Sequence, residues 1–162
     1  MSTNVYNNLI ITNNTFTTDG NALVYIDGAT IENNIFASGN FSDCDNNVIR
    51  YNVFTRSREA AFDDRSESNT INNNLFGAVI SQLFVVASPA ATGEIDNTFR
   101  PGPDSQATGA GVDGIDAGAF GGATPYRLSG MPAIPSIFEL STTGVGNNET
   151  GMKVTIKAIS HQ

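Results

Sequence analysis

Ile11-Thr12-Asn13-Asn14-Thr15-Phe16 is one of four gap-free copies of a single motif. The others are Ile31-Glu32-Asn33-Asn34-Ile35-Phe36, Ile49-Arg50-Tyr51-Asn52-Val53-Phe54 and Ile71-Asn72-Asn73-Asn74-Leu75-Phe76. They begin 20, 18 and 22 residues apart. A weaker fifth copy, Ile95-Asp96-Asn97-Thr98-Phe99, is one residue shorter. A helical hairpin repeat needs over ~30 residues, so this period matches one coil of a β-solenoid instead. The irregular spacing is what loops of variable length leaving each coil would produce. Helix-period apolar patterning is absent.

In coils stacked about 4.8 Å apart, equal positions form vertical ladders. Ile11, Ile31, Ile49 and Ile71 are expected to stack inside the coil, and Phe16, Phe36, Phe54 and Phe76 to form a second internal ladder. Asn14, Asn34, Asn52 and Asn74 lie between these faces, where the chain must turn. Asn accepts the left-handed backbone a sharp bend needs. Its amide can also donate to the Asn one coil away, satisfying groups otherwise buried unpaired. A third face is expected from Ala22-Leu23-Val24-Tyr25-Ile26, Asn40-Phe41, Ala60-Ala61-Phe62 and Leu83-Phe84-Val85-Val86.

Residues 100–112 read as a long exposed loop. Asp113 to Gly122 is Gly-rich but lacks phosphate-loop spacing and reads as a terminal strand closing the solenoid. Pro125, Pro132 and Pro135 make 123–136 an extended strap. Two strand-like runs follow, Ser136–Ser141 and Lys153–Ile159. A lone pair of strands is marginal in water, so they must pack on the solenoid, join a partner chain or begin a sandwich. The expected division is 1–122 coils and 123–162 strap and tail.

Bulk properties agree. The 162-residue chain suits one domain with a small appendage, and 40% hydrophobic content is enough for a core. Only 15% of residues are charged, and the polar load falls on residues such as the 19 Asn, a bias that means many turns. A net charge of −8 leaves no basic stripe for nucleic acid. No apolar run reaches the length of a membrane span. Cys44 is the single cysteine and reads as a small buried hydrophobe. The first repeat begins ten residues after Met1 and no signal-peptide pattern precedes it, so the chain is expected to be a piece of a longer protein.

The repeats resemble the right-handed parallel β-helix family, whose fold is that of pectate lyases. Asp116-Ala117-Gly118-Ala119-Phe120-Gly121 resembles the strand that often ends such helices in secreted bacterial proteins. Gly130-Met131-Pro132-Ala133-Ile134-Pro135 and the strands after it look like the tail of bacterial surface proteins of this class. The resemblance covers roughly residues 5–160. It implies an all-β, right-handed parallel β-helix with a short extended strap and a two-strand tail, outside the cell or on its surface. It says little of function, because the fold hosts lyases, hydrolases, epimerases, adhesins and phage tail fibres.

Lyases of that family use Arg or Lys as base, Asp clusters for calcium, or His and Tyr pairs. Here His161 is the only His and Lys153 and Lys157 the only Lys, all near the C-terminus. The best candidate ligand-binding cluster is Arg56, Arg58, Asp63, Asp64 and Arg65. Adjacent Asp63-Asp64 resembles the paired aspartates of β-helix glycoside hydrolases, which protonate the leaving oxygen and activate water. The His and Arg-Lys motifs that accompany them are missing, and neighbours on a strand point to opposite faces. A solvated, self-neutralising loop is therefore the first reading. Calcium is a secondary candidate at the acidic turns Asp19-Gly20-Asn21, Asp43-Cys44-Asp45-Asn46 and Asp113-Gly114-Ile115-Asp116, none of which has a known calcium-loop spacing. Thr15-Phe16-Thr17 does not recur, so no ice-binding ladder exists. Asn-x-Ser/Thr triplets at Asn13, Asn40 and Asn148 are expected by chance in so Asn-rich a chain.

Three functions follow. The first is a non-catalytic surface module that is structural, adhesive or glycan-contacting. The second is the C-terminal part of a polysaccharide lyase or glycoside hydrolase. The third is an assembly element that binds another protein chain, or itself, through uncapped coil ends.

Overall fold

The computed structural model describes residues 5–85, 98–127, 136–142, 152 and 154–159. The chain is a parallel β-solenoid of about three turns, followed by an antiparallel strand pair. Its elements in chain order are β1 (Tyr6–Asn7), β2 (Ile10–Thr12), β3 (Thr15–Phe16), β4 (Asn21–Val24), β5 (Ile26–Asp27), β6 (Thr30–Glu32) and β7 (Ile35–Phe36). Then come β8 (Asn40–Ser42), β9 (Val48–Arg50), β10 (Val53–Phe54), α1 (Arg58–Ala61), β11 (Thr70–Asn72), β12 (Ser136–Thr142) and β13 (Val154–Ile159).

Stacking runs in the register the repeats dictate. In the sheet β2–β6–β9–β11, Ile11 pairs with Ile31, Ile31 with Ile49, and Ile49 with Ile71. In the sheet β3–β7–β10, Phe36 pairs with both Phe16 and Phe54. The rings of Phe16, Phe36, Phe54 and Phe76 lie face to face at 4.7, 4.7 and 4.8 Å, one coil rise per step. Phe41 meets Phe36 edge-on at 4.9 Å and fills the middle of the coil.

The bends are not where the motif suggested. Left-handed backbone falls on Asn13, Asn33, Tyr51 and Asn73, one residue before each ladder asparagine. The division of labour has a physical reason. The ladder amide must lie along the stacking axis to reach both neighbouring coils, so the preceding residue makes the turn. Asn adopts that conformation with less strain than most residues, whereas Tyr51 carries a side chain poorly suited to it. A second set of corners, Asn8, Gly28, Asn46 and Ser68, keeps the same 20, 18 and 22-residue intervals. It is followed by a second, shorter amide ladder. The backbone N–H of Ala29 donates to Asn47 Oδ1 at 2.8 Å, and Asn47 Nδ2 donates to Asn69 Oδ1 at 3.0 Å.

The third face is regular only at first. β4 pairs with β8, and Phe41 bridges to Phe62. Instead of a strand through Ala60-Ala61-Phe62, the third turn has the single helical turn α1, capped by Ser57, whose Oγ accepts from the N–H of Ala60. Its cap and two alanines favour a helix at a point where a loop leaves the coil. Leu83 and Phe84 do not extend this face. Phe84 bridges antiparallel to Pro101, and Leu83 and Phe84 are buried in a separate cluster with Ile35, Val53, Ala107 and Ala117. Val86 lies outside the described residues.

That outer cluster corrects two further expectations. Along β7 and β10 successive side chains alternate, so Ile35 and Val53 point away from the coil interior while Phe36 and Phe54 point in. Both outward residues are fully buried. Residues 98–122 cover them, so 100–112 is not a freely exposed loop, although Asp104 is exposed. Asp113–Gly122 is not a terminal strand either. It contains a 3-10 turn at Val112–Gly114 and then lies against the coils. The Gly118 N–H donates to Asn33 O at 2.7 Å, the Val112 N–H to Asn33 Oδ1 at 2.9 Å, and the Ala119 N–H to Thr15 Oγ1 at 3.1 Å. Gly118 has φ 89°, and a Cβ there would sit 2.6 Å from Ile35 Cδ1. An apolar outward row needs a cover, and glycine lets backbone supply it.

Ile95–Asn97 of the weak fifth repeat lie outside the described residues. Its Phe99 meets Phe84 edge-on at 5.5 Å in the outer cluster rather than continuing the phenylalanine stack.

The chain separates into two compact units, Met1–Tyr126 and Arg127–Gln162. Positions 128–135 of the expected strap lie outside the described residues. In the second unit β12 and β13 pair antiparallel, with Leu140 opposite Ile156 and Glu139 opposite Lys157, and a register shift between Ile137 and Glu139.

Asn34→Ala and Asn52→Ala should each lower the unfolding free energy by about 3 kcal/mol, because each strands several buried partners at about 1–3 kcal/mol apiece. Asn14→Ala, on the exposed first coil, should lose about 1 kcal/mol. Urea unfolding measures the difference, and equal losses at all three sites would count against a ladder. Gly118→Ala should cost about 2 kcal/mol or more through overpacking and backbone strain. Limited proteolysis should then cut first within 105–122.

Candidate functional site

The loop that leaves the third turn carries the five residues singled out by the sequence. α1 puts Arg58 on the surface, then Ala61 is buried and Phe62 packs edge-on against Phe41 at 5.0 Å. With the chain anchored there, Asp63 turns back onto the coil below. Its carboxylate accepts from Ser42 Oγ at 2.8 Å, Ser66 Oγ at 2.7 Å, Arg65 Nη2 at 2.9 Å and the Asp43 N–H at 3.4 Å. Arg65 also lies 3.0 Å from Asp43 and donates to Ser42 Oγ at 2.7 Å. This network ties the second coil to the third.

The five candidates do not converge. Asp63 and Arg65 are joined. Asp64 and Arg58 are exposed, and no side-chain bond among the described residues links either to the network. Arg56 is partly buried, and its buried Nε has no hydrogen-bond partner among the described residues. Ser42, Asp43 and Ser66 are the members that sequence reasoning missed. Register was the available signal: Ser42 and Asp43 stand about one period before Asp63.

The electrostatics of Asp63 follow from these contacts. Partial burial pushes its pKa up, but hydrogen bonds from Ser66, Ser42, Arg65 and the Asp43 N–H outweigh that and hold it at about 2. It is therefore ionised across the neutral range. An acid that must deliver a proton to a leaving oxygen needs a pKa displaced the other way.

The acidic turns are similarly committed. Asp19 accepts from Ser38, Asp27 from Asn46, Asp45 from the Glu67 N–H and Asp116 from the Gly109 N–H. Among the described residues no group of three His, Cys, Asp or Glu side chains gathers as a metal site would require. Cys44 is fully buried, and that burial pushes its thiol pKa up. Lys153 and His161 lie outside the described residues.

One sheet face remains open. Ile10, Thr30, Val48 and Thr70 form one outward row of β2–β6–β9–β11, and Thr12, Glu32, Arg50 and Asn72 form the other. Glu32 and Arg50 are paired across it at 2.8 Å. Unlike the face outside β7 and β10, it carries mixed polar and β-branched side chains.

No family model matches the chain, nor does any curated protein or solved structure.

A carboxylate whose pKa is depressed on folding stabilises the fold above its unfolded pKa and loses that contribution as pH falls through the folded value. Stability supplied by Asp63 should therefore be intact at neutral pH and fade between about pH 4 and pH 2. Asp63→Asn should flatten this part of the stability profile, and Asp64→Asn should not, as followed by thermal melts across pH.

Proposed function

We propose that this chain is a non-catalytic β-solenoid module of a secreted or cell-surface protein. Its role is structural, with the open β2–β6–β9–β11 face available for adhesion or glycan contact. The observation that carries the reading is the state of Asp63. The best candidate for proton-transfer chemistry is locked by four groups, held ionised and separated in role from its exposed neighbour Asp64. A glycoside hydrolase would need one of that pair as an acid, with the two carboxyl groups facing each other across a substrate.

Two properties support the surface role. The repeated polar positions are spent on stacking one coil on the next. The open face presents hydroxyl, amide and guanidinium groups beside small apolar ones, a mixture suited to hydroxylated polymers. The right-handed coil sense and pectate-lyase-like kinship belong to this proposal.

The test is a panel of acidic and neutral polysaccharides, assayed for both binding and cleavage. The expected outcome is no turnover, with any binding weakened by Arg50→Ala and Thr12→Ala. Turnover abolished by Asp63→Asn or Asp64→Asn would overturn the proposal in favour of a polysaccharide-active enzyme.

A further inference from the structure

The amide ladder has a direction. In each step the backbone N–H and Nδ2 of one asparagine donate to Oδ1 of the asparagine in the following coil. Asn14 donates this way to Asn34, Asn34 to Asn52 and Asn52 to Asn74, at 2.9–3.2 Å. At the first coil, Asn14 Oδ1 therefore receives no bond from any described residue. At the last coil, the backbone N–H of Asn74 has no acceptor among them. The two ends are complementary, an acceptor at one and a donor at the other.

The apolar layers match in the same way. Phe16 stacks on Phe36 with one face, and Phe76 stacks on Phe54 with one face. Ile11, Phe16, Ile71 and Phe76 are only partly buried, unlike Ile31, Ile49, Phe36 and Phe54 between them. Both ends present Ile, Asn and Phe at identical spacing. Leu9, on the first coil, is 38% exposed, whereas its counterpart Ala29 one coil on is 1% exposed.

From this we infer that the first-coil end is an interaction surface for the last-coil end of a second copy. In such a contact β11 of one copy would lie parallel to β2 of the next. Asn74 N–H would donate to Asn14 Oδ1, and Phe76 would stack on Phe16. A symmetric pairing of two first-coil ends is excluded by the same chemistry, since it sets Asn14 Oδ1 against Asn14 Oδ1 and runs the strands antiparallel. The contact is thus heterologous and repeats without closing, which builds linear stacks rather than a ring or a twofold dimer. This goes beyond a structural role for one chain and does not depend on whether the open sheet face binds a glycan.

The experiment uses the full chain in sedimentation velocity and light scattering from low micromolar to near-millimolar concentration. The average mass should rise with concentration above the 17.1 kDa monomer. Phe16→Glu and Phe76→Glu should each be monomeric, because each blocks one end. An equimolar mixture of the two should give dimers and nothing larger, since one usable end of each kind remains. Circular dichroism establishes that both variants fold. If either does not, Leu9→Lys and Leu75→Lys, at exposed positions of the same two ends, replace them. A strictly monomeric wild type would overturn the inference. So would association that persists in both single-end variants, or a mixture that forms no dimer.

Discussion

The hydrogen bond from one asparagine to the next, one coil away, is the constraint on which the rest of the solenoid depends. Its energy is modest. A net contribution near 1 kcal/mol per bond is dwarfed by burial of the isoleucine and phenylalanine ladders. Its importance lies in what the alternative would be. Asn34 and Asn52 sit at 0–1% exposure among those ladders, and an amide there without partners would be strongly unfavourable. Each Oδ1 accepts from the coil before it. Each interior Nδ2 donates to Oδ1 in the coil after it and to carbonyls of its own and the preceding coil, so every bond between coils needs them at matching heights. The ladder therefore fixes register, which hydrophobic stacking alone would allow to slip.

Register in turn decides what each neighbouring position can do. With the asparagine amide held along the axis, the residue before it must make the bend, and three of four such residues are asparagines as well. The residue after it must point outward. In the first and last copies that residue is Thr15 or Leu75, and in the central ones it is Ile35 or Val53. The central pair makes an apolar stripe outside the coil, and residues 98–122 cover it. One buried amide column thus accounts for the corners, the inner core and the outer packing.

Much of this was legible in the sequence. The repeat length gave the coil, and the motif named its stacked residues, because identical positions in a solenoid do identical work. What was not legible had separate causes. The left-handed residue was assigned one place late, since Asn occupies both positions in three copies and only Tyr51 breaks the tie. The second amide ladder was hidden because its earlier members are Leu9 and Ala29 rather than asparagines. The covering role of 98–122 was obscured by composition. Its Gly, Ala and Pro read as a loop, although those small residues are what allow close backbone approach over Ile35. The Asp63 network was half visible, because its other half comes from Ser42 and Asp43 in a different coil.

A directional ladder leaves one open group at each end, here Asn14 Oδ1 and the Asn74 N–H among the described residues, while the Asn74 side chain itself is fully bonded. Lengthening the stack moves this defect without removing it. The chemistry at a solenoid end is therefore more informative than the chemistry along its flank. On the flank, Glu32 and Arg50 neutralise each other in an exposed pair, a contact of small energy that constrains little. At the ends, a directional acceptor and a directional donor are each set beside a half-covered aromatic ring. Specificity in this molecule should consequently reside where its periodicity stops, and the partner best suited to an interrupted period is one with the same period.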